Sequence, residues 1–280
     1  MTRPHRVAAI QMVSSAVVAD NLAAAGALIA QAVDDGAELV ALPEYFCILG
    51  NHERDKLAVR EALAEGGRGG GPIQAWLAET ARRHRIWIVG GTVPIDCGSD
   101  DKILNTSLVY DPAGACVARY DKIHLFGFHR RHEDGTVEQF DEARTIAHGT
   151  NGPTVVDTPL GRLGLSVCYD VRFPELYRGM DDVDLILVPS AFTATTGKAH
   201  WEPLLRARAI ENLAYVLAPA QGGRHANGRT THGHSMFVDP WGEVRGVLPV
   251  GPGVVAGDLD RERLRECRGS LPALAHRRLA

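Results

Sequence analysis

The sequence predicts an α/β protein with mixed sheets packed against helices, and three observations predict it. Short apolar runs alternate with Ala-rich segments of helical spacing through the first two thirds of the chain. Turn sequences such as Asp111-Pro112-Ala113-Gly114 and Asp239-Pro240-Trp241-Gly242 separate paired strand-like runs, which adds hairpins to the parallel framework. The composition, 45% hydrophobic and 23% charged over 280 residues, is ordinary for a globular enzyme with a substantial core. No internal repeat or low-complexity linker divides the chain, so one domain over residues 1–280 is expected.

The elements follow in order. Val7–Met12 alternates as a strand. Asn21–Asp34 carries apolar residues at helical spacing, and Gly36 stops it. Leu39–Leu42 is a short buried strand that ends in Pro43-Glu44. Pro72–His84 reads as an amphipathic helix and Ile86–Val89 as the next strand. Thr106–Tyr110 and Cys116–Tyr120 flank the first turn as a hairpin. Arg130–Asp141 is polar with both charge signs and reads as a surface loop placed to act as a lid. A strand then runs through Leu163–Val167 into Cys168, and Leu176–Met180 is helical. Asp184–Val188 is a buried strand, His200–Asn212 a helix and Tyr215–Pro219 a strand. His234–Val238 and Val244–Leu248 flank the second turn, Val254–Leu259 is the last strand, and the chain from Arg261 is a charged tail. The run Gly66-Gly67-Arg68-Gly69-Gly70-Gly71 lacks the Lys-Ser/Thr of a phosphate-binding loop and reads as a flexible connection.

Composition excludes several function classes. A formal net charge of −4 argues against a nucleic-acid partner, which needs a basic face. No apolar stretch is long enough to span a bilayer, and the start of the chain lacks the apolar core of a signal peptide. The five cysteines, Cys47, Cys97, Cys116, Cys168 and Cys267, form no disulfide framework and no Cys-x-x-Cys pair. A reducing cytoplasm is therefore expected, with no metal and no cofactor.

Chemistry concentrates at strand ends, where α/β folds gather their ligands. Cys168 ends an apolar run and precedes a sharp turn. That position exposes a nucleophile and frees the next backbone N–H, that of Tyr169, to face a developing oxyanion. A nearby cation or helix N-terminus would lower the thiol pKa. A lone cysteine in such a run is more often an inert core thiol; its companions reverse that balance. Glu44 follows Leu39–Pro43, and Lys122 follows Ala118–Asp121. Together they can perform acyl transfer: Glu44 as general base, Lys122 favouring the thiolate and stabilising the oxyanion, Cys168 attacking the carbonyl. Singly, Glu44 reads as a helix N-terminal carboxylate and Lys122 as a surface charge.

The residues around these three carry a resemblance. Leu42-Pro43-Glu44-Tyr45, the run from Tyr120 to Phe126, and the run from Val167 to Glu175 resemble the nitrilase, or carbon–nitrogen hydrolase, superfamily. The resemblance covers nearly the whole chain. It implies a four-layer αββα sandwich, a Glu44-Lys122-Cys168 triad and a second active-site glutamate, for which Glu142 is the best match. Further runs, among them Pro189–Phe192, Thr196–Glu202, Leu205–Glu211, Gln221–His225 and Gly233–Met236, are similar to the deaminated glutathione amidase branch, close to the omega-amidases. That similarity implies hydrolysis of a small-molecule amide with a 2-oxoglutaramate-like acyl group, and a homodimer or larger homo-oligomer. It places Phe192 and Thr196 at the acyl end, with Tyr169 beside the nucleophile. Where that branch often has a cysteine after the glutamine, this chain has Gly222.

An anionic keto-acid end needs a cation, and Arg172, four residues after the nucleophile, offers a bidentate fork. Its bland alternative is an ion pair with Glu175 or Asp170. His225, His232 and His234 lack the carboxylate or thiol that would complete a metal site. His124 and His129 near Lys122 suggest a rival Cys-His hydrolase, without a matching signature around Cys168. Other readings are a nitrilase, a carbamoyl-amine hydrolase or a general omega-amidase of the same superfamily, and a non-catalytic scaffold. The last would have lost Glu44, Lys122 or Cys168, and all three are present.

Overall fold

Side chains of the strand His5–Gln11 divide by parity. Val7 and Ala9 enter a core shared with a second sheet, whereas Ala8 and Ile10 enter a core shared with helices. A pleated strand buried on both faces belongs in the middle of a layered molecule. Leu39 and Ala41 divide from Val40 in the same way. The computed structural model describes residues 3–64, 70–131 and 134–278.

The first sheet runs in the order Gly253–Leu259, His5–Gln11, Leu39–Ala41, Trp87–Val89, Ile103–Tyr110, Val93–Asp96. Cys116–Asp121 and Ile146–Ala147 also pair with Ile103–Tyr110. The second sheet runs Thr154–Thr158, Gly161–Leu165, Leu185–Leu187, Tyr215–Ala218, Ser235–Val238, Val244–Leu248. Both are parallel at the centre and antiparallel toward the sides. Ala25, Ile29 and Ala32 of helix Val18–Asp34, and Ile73, Leu77 and Ala81 of helix Pro72–His84, cover the first sheet. Trp201, Leu205 and Ala209 of helix Ala194–Asn212, with Leu176 and Tyr177 of Pro174–Arg178, cover the second. The layers are therefore helix, sheet, sheet, helix, the αββα sandwich. Each fully buried Leu or Ile side chain contributes roughly 1.5–3 kcal/mol. No helix among the described residues is long and apolar enough to cross a membrane.

Helix Pro72–His84 shows how local sequence and tertiary context combine. Pro72 occupies the first helical turn, where its missing N–H costs nothing. The last turn carries Arg82, Arg83 and His84, and Arg85 closes it in the left-handed conformation. Gly71 offers no capping side chain. Glu61, from a distant loop, does so instead: its carboxylate accepts from the N–H groups of Ile73 (2.6 Å) and Gln74 (3.1 Å).

Several expectations are corrected. Residues 130–141 are no loop: Gly127–Arg131 and Val137–Asp141 form a two-stranded hairpin, with His132 and Glu133 outside the described residues. Its pattern is inverted, since Val137 is 49% exposed while Glu138 turns inward to Thr195 Oγ1. The charged tail begins with a helix, Arg261–Ser270, started by the Asp260 side chain and anchored by Leu264 and Cys267. Helix Ala194–Asn212 starts six residues earlier than periodicity indicates, because Thr193 caps it. Strands Val93–Asp96 and Thr154–Thr158 were not anticipated. Most of the glycine-rich run, residues 66–69, lies outside the described residues.

Candidate active site

Three strand ends converge between the sheets. Glu44 lies three residues beyond Leu39–Ala41, Lys122 directly follows Cys116–Asp121, and Cys168 lies three residues beyond Gly161–Leu165. Cys168 has φ +51°, a left-handed conformation that costs a non-glycine residue on the order of 1–3 kcal/mol. The turn is held around it. Cys168 N–H donates to Pro189 O at 2.9 Å, and a short 3₁₀ turn runs through Cys168–Arg172. Asp170, fully buried, accepts from Val167 N–H, His124 N–H and Tyr120 O–H at 2.9, 3.0 and 2.7 Å. Pro174–Arg178 then forms the helix.

Lys122 is 0% exposed and lies between two carboxylates, at 2.8 Å from Glu44 Oε1 and 2.7 Å from Glu142 Oε2. Glu44 is otherwise held by Asn105 Nδ2 at Oε1 and by Ala191 N–H at Oε2. Glu142 accepts further from Phe126 N–H and Tyr45 O–H. Burial alone would lower the pKa of Lys122, but Glu142 and Glu44 outweigh it and hold the ammonium well above the ordinary lysine value. Burial likewise opposes the charge of Glu142, yet Lys122 and the Phe126 N–H hold its carboxyl below the ordinary value.

The thiol departs from the simple expectation. Burial, and then the charge of Glu44, push Cys168 well above the ordinary thiol value, and Lys122 only partly offsets them. The Lys122 charge is already shared by two carboxylates. A thiol so placed favours its protonated form, and were it to attack a carbonyl its proton would have to leave.

A small, tight cavity opens over these groups. Of the predicted site residues all but Lys122 line it, and Lys122 lies beneath, between the two glutamates. Arg172 passes between the rings of Tyr169 and Phe192, with its guanidinium carbon 5.5 and 5.4 Å from their centroids. It pairs with neither Glu175 nor Asp170; Nη1 meets His200 Nδ1 at 3.2 Å. Thr196 lines the cavity near the start of helix Ala194–Asn212, its hydroxyl 2.9 Å from that of Thr193.

The histidines do other work. His124 binds Asp170 and stacks on Phe173 at 3.7 Å, and His129 is exposed on the hairpin. His225 engages Ser14 O and Thr231 Oγ1 with its two ring nitrogens. His232 stacks on His234 at 4.1 Å, and burial followed by that neighbour lowers its pKa to about 4. Gly222 packs on Gln11, whose side chain a Cβ there would meet at 2.6 Å.

Sequence reasoning missed Asn105, Asp170, Tyr45 and Arg229. Arg229 also lines the cavity, donates to Ala191 O and lies over the Phe140 ring. Tyr45 and Asp170 stand within the family-like runs and so carried a signal, whereas Asn105 and Arg229 carried none.

A family model described as carbon-nitrogen hydrolase matches residues 6–269. A deaminated glutathione amidase of Synechocystis is 43% identical over 279 residues, covering 98% of each chain. The crystal structure of Saccharomyces cerevisiae Nit3, of branch 10 of the nitrilase superfamily, superposes with a TM-score of 0.85 at 29% identity, covering 97% of this chain and 96% of that one. A mutant of the amidase from Nesterenkonia sp. AN1 superposes with a TM-score of 0.76 at 27% identity over 96% and 98% of the two chains, and it shows the result of Michael addition of acrylamide at its active-site cysteine. With a family match this long and a relative this similar, the chain belongs to the carbon-nitrogen hydrolase family.

Proposed function

We propose that the protein is a cysteine amidase that cleaves deaminated glutathione, releasing the dipeptide amine and a 2-oxo dicarboxylate. The observation that carries this reading is the buried Glu44–Lys122–Glu142 chain beneath the cavity that holds Cys168 and Arg172. The name of the Synechocystis relative supports the substrate.

Cys168 Sγ bonds to the amide carbonyl carbon while its proton passes to the Glu44 carboxylate. The carbonyl oxygen becomes an oxyanion beside Lys122 Nζ and the Tyr169 N–H. Collapse breaks the C–N bond, and the departing amine takes the proton from Glu44. Water then attacks the thioester, again giving its proton to Glu44, and the acid leaves as Cys168 regains a proton. Glu142 and Asn105 position Lys122 and Glu44. Arg172 binds the keto-acid carboxylate, with Phe192, Thr196 and Tyr169 forming the walls of that end.

The test is a panel of deaminated glutathione, 2-oxoglutaramate and a neutral short-chain amide, with products identified by mass. The two keto acids should exceed the neutral amide in kcat/KM by on the order of a hundredfold, since the neutral amide leaves the half-buried Arg172 without its carboxylate partner. Equal efficiency on all three would contradict the carboxylate clamp.

Five free thiols support a reducing, cytoplasmic setting. Association into a homo-oligomer is supported by Ile210 and Val250, which are 46% and 65% exposed and line one surface cavity.

A further inference from the structure

The active-site cavity holds more positive charge than the acyl end requires. Glu44 and Glu142 are both engaged by Lys122. Two further cations line the same space, Arg172 and Arg229, and neither forms an ion pair among the described residues. In each, the Nε atom is buried and without a hydrogen-bond partner among those residues. A half-buried guanidinium with its Nε out of water and no carboxylate partner is poised for a ligand carboxylate. One keto-acid carboxylate satisfies one of them.

Arg229 is placed differently from Arg172. It lines the catalytic cavity and also a second one of about 320 Å³, where it is joined by Tyr45, His52, Lys56 and Asn227. Its guanidinium carbon lies 5.0 Å from the centroid of Phe140, on the hairpin, and one Nη donates to Ala191 O at 3.2 Å. Those contacts fix its plane at the junction of the two spaces. Arg172, between Tyr169 and Phe192, lines the catalytic cavity and not the second one. The space over Cys168 is much the smaller of the two, so a dipeptide amine needs room beyond it, and Arg229 lines the larger space. Lys56, the second cation there, is already paired with Glu53 at 3.1 Å.

We propose that Arg229 is a specificity-determining residue that binds the carboxylate of the leaving group, so that the site selects amides bearing an anion on each side of the scissile bond. This rests on the deaminated glutathione reading above. It makes Arg172 and Arg229 a pair of clamps, one for each end of a dianionic substrate.

The experiment compares deaminated glutathione, 2-oxoglutaramate, whose leaving group is ammonia, and deaminated glutathione with its glycyl carboxylate capped as the amide. In Arg229→Gln the ratio of kcat/KM for deaminated glutathione over 2-oxoglutaramate should fall by about 30-fold or more, mainly through KM. Capping the carboxylate should cost the wild type a similar factor and cost the variant little more. Arg229→Lys should recover part of the ratio. Arg172→Gln should lower both uncapped substrates together and leave the ratio within about threefold. If Arg229 acts only through Ala191 on Glu44, Arg229→Gln will depress kcat equally for both keto acids, which overturns the proposal. A further loss on the capped substrate in the variant would overturn it as well. A wild-type protein that cleaves none of these amides would instead refute the functional reading on which it rests.

Discussion

Lys122 has no exposed surface and touches two carboxylates, and that decides how it tolerates substitution. A planar guanidinium cannot occupy the point that an ammonium fills between Glu44 and Glu142. Lys122→Arg should therefore lose nearly as much rate as Lys122→Ala, on the order of a hundred- to a thousandfold; a variant keeping most of its activity would make Lys122 a bystander. The same ion pairs set a pH response. Glu142 is held below its ordinary value of 4.5, so its contribution is fully present above that value and is lost as pH falls through the lower folded-state value. Lys122 is held above 10.5, so its contribution is present below that and fades only at higher pH. Melting temperatures of wild type and Glu142→Gln should differ by a constant amount between these limits and converge below pH 4.5. A difference unchanged down to pH 3 would show that the pair is not ionic. Glu44, Lys122 and Cys168 were legible because each follows an apolar strand-like run. Asn105 and Arg229 were not, because their partners lie 61 and 38 residues away in sequence.

The element that most affects the site was the least legible one. The hairpin Gly127–Arg131/Val137–Asp141 carries Phe128 and Phe140 as a cross-strand pair, and Phe126 at its base packs on both rings and on Tyr169. Alternation failed as a signal there because an apolar side chain faces out and a glutamate faces in. Helix Pro72–His84, by contrast, agrees with its sequence reading to the residue, since periodicity, Pro72 and the basic last turn all point the same way. Its N-terminal partner was invisible, because Glu61 lies outside the helix. Glu61→Ala should destabilise the fold by about 1–3 kcal/mol by leaving buried N–H groups unsatisfied. Glu61→Gln should restore part of that. A loss below about 0.5 kcal/mol in chemical denaturation would show that water replaces the cap.

At the scale of the molecule, the sandwich explains why the chemistry assembles at all. Glu44 and Lys122 come from the first sheet and Cys168 from the second, so the proposed nucleophile meets its proposed proton acceptor only when the sheets pack face to face. The layer count and the mixed sheets followed from alternating elements and from motif resemblance; the sheet orders did not, since register depends on pairings between distant segments. The face-to-face packing leaves Cys168 in the cavity, while Cys47 lies fully buried in the other core. The account therefore stands on which thiol carries the acyl group. Quenching the wild-type protein during turnover of a slow keto-acid amide, then mapping the modified peptide by mass spectrometry, measures this directly. The expected result is a thioester adduct on Cys168, with Cys168→Ala folded but inactive and unmodified. An adduct on Cys47 or Cys97, or turnover by Cys168→Ala, would contradict it.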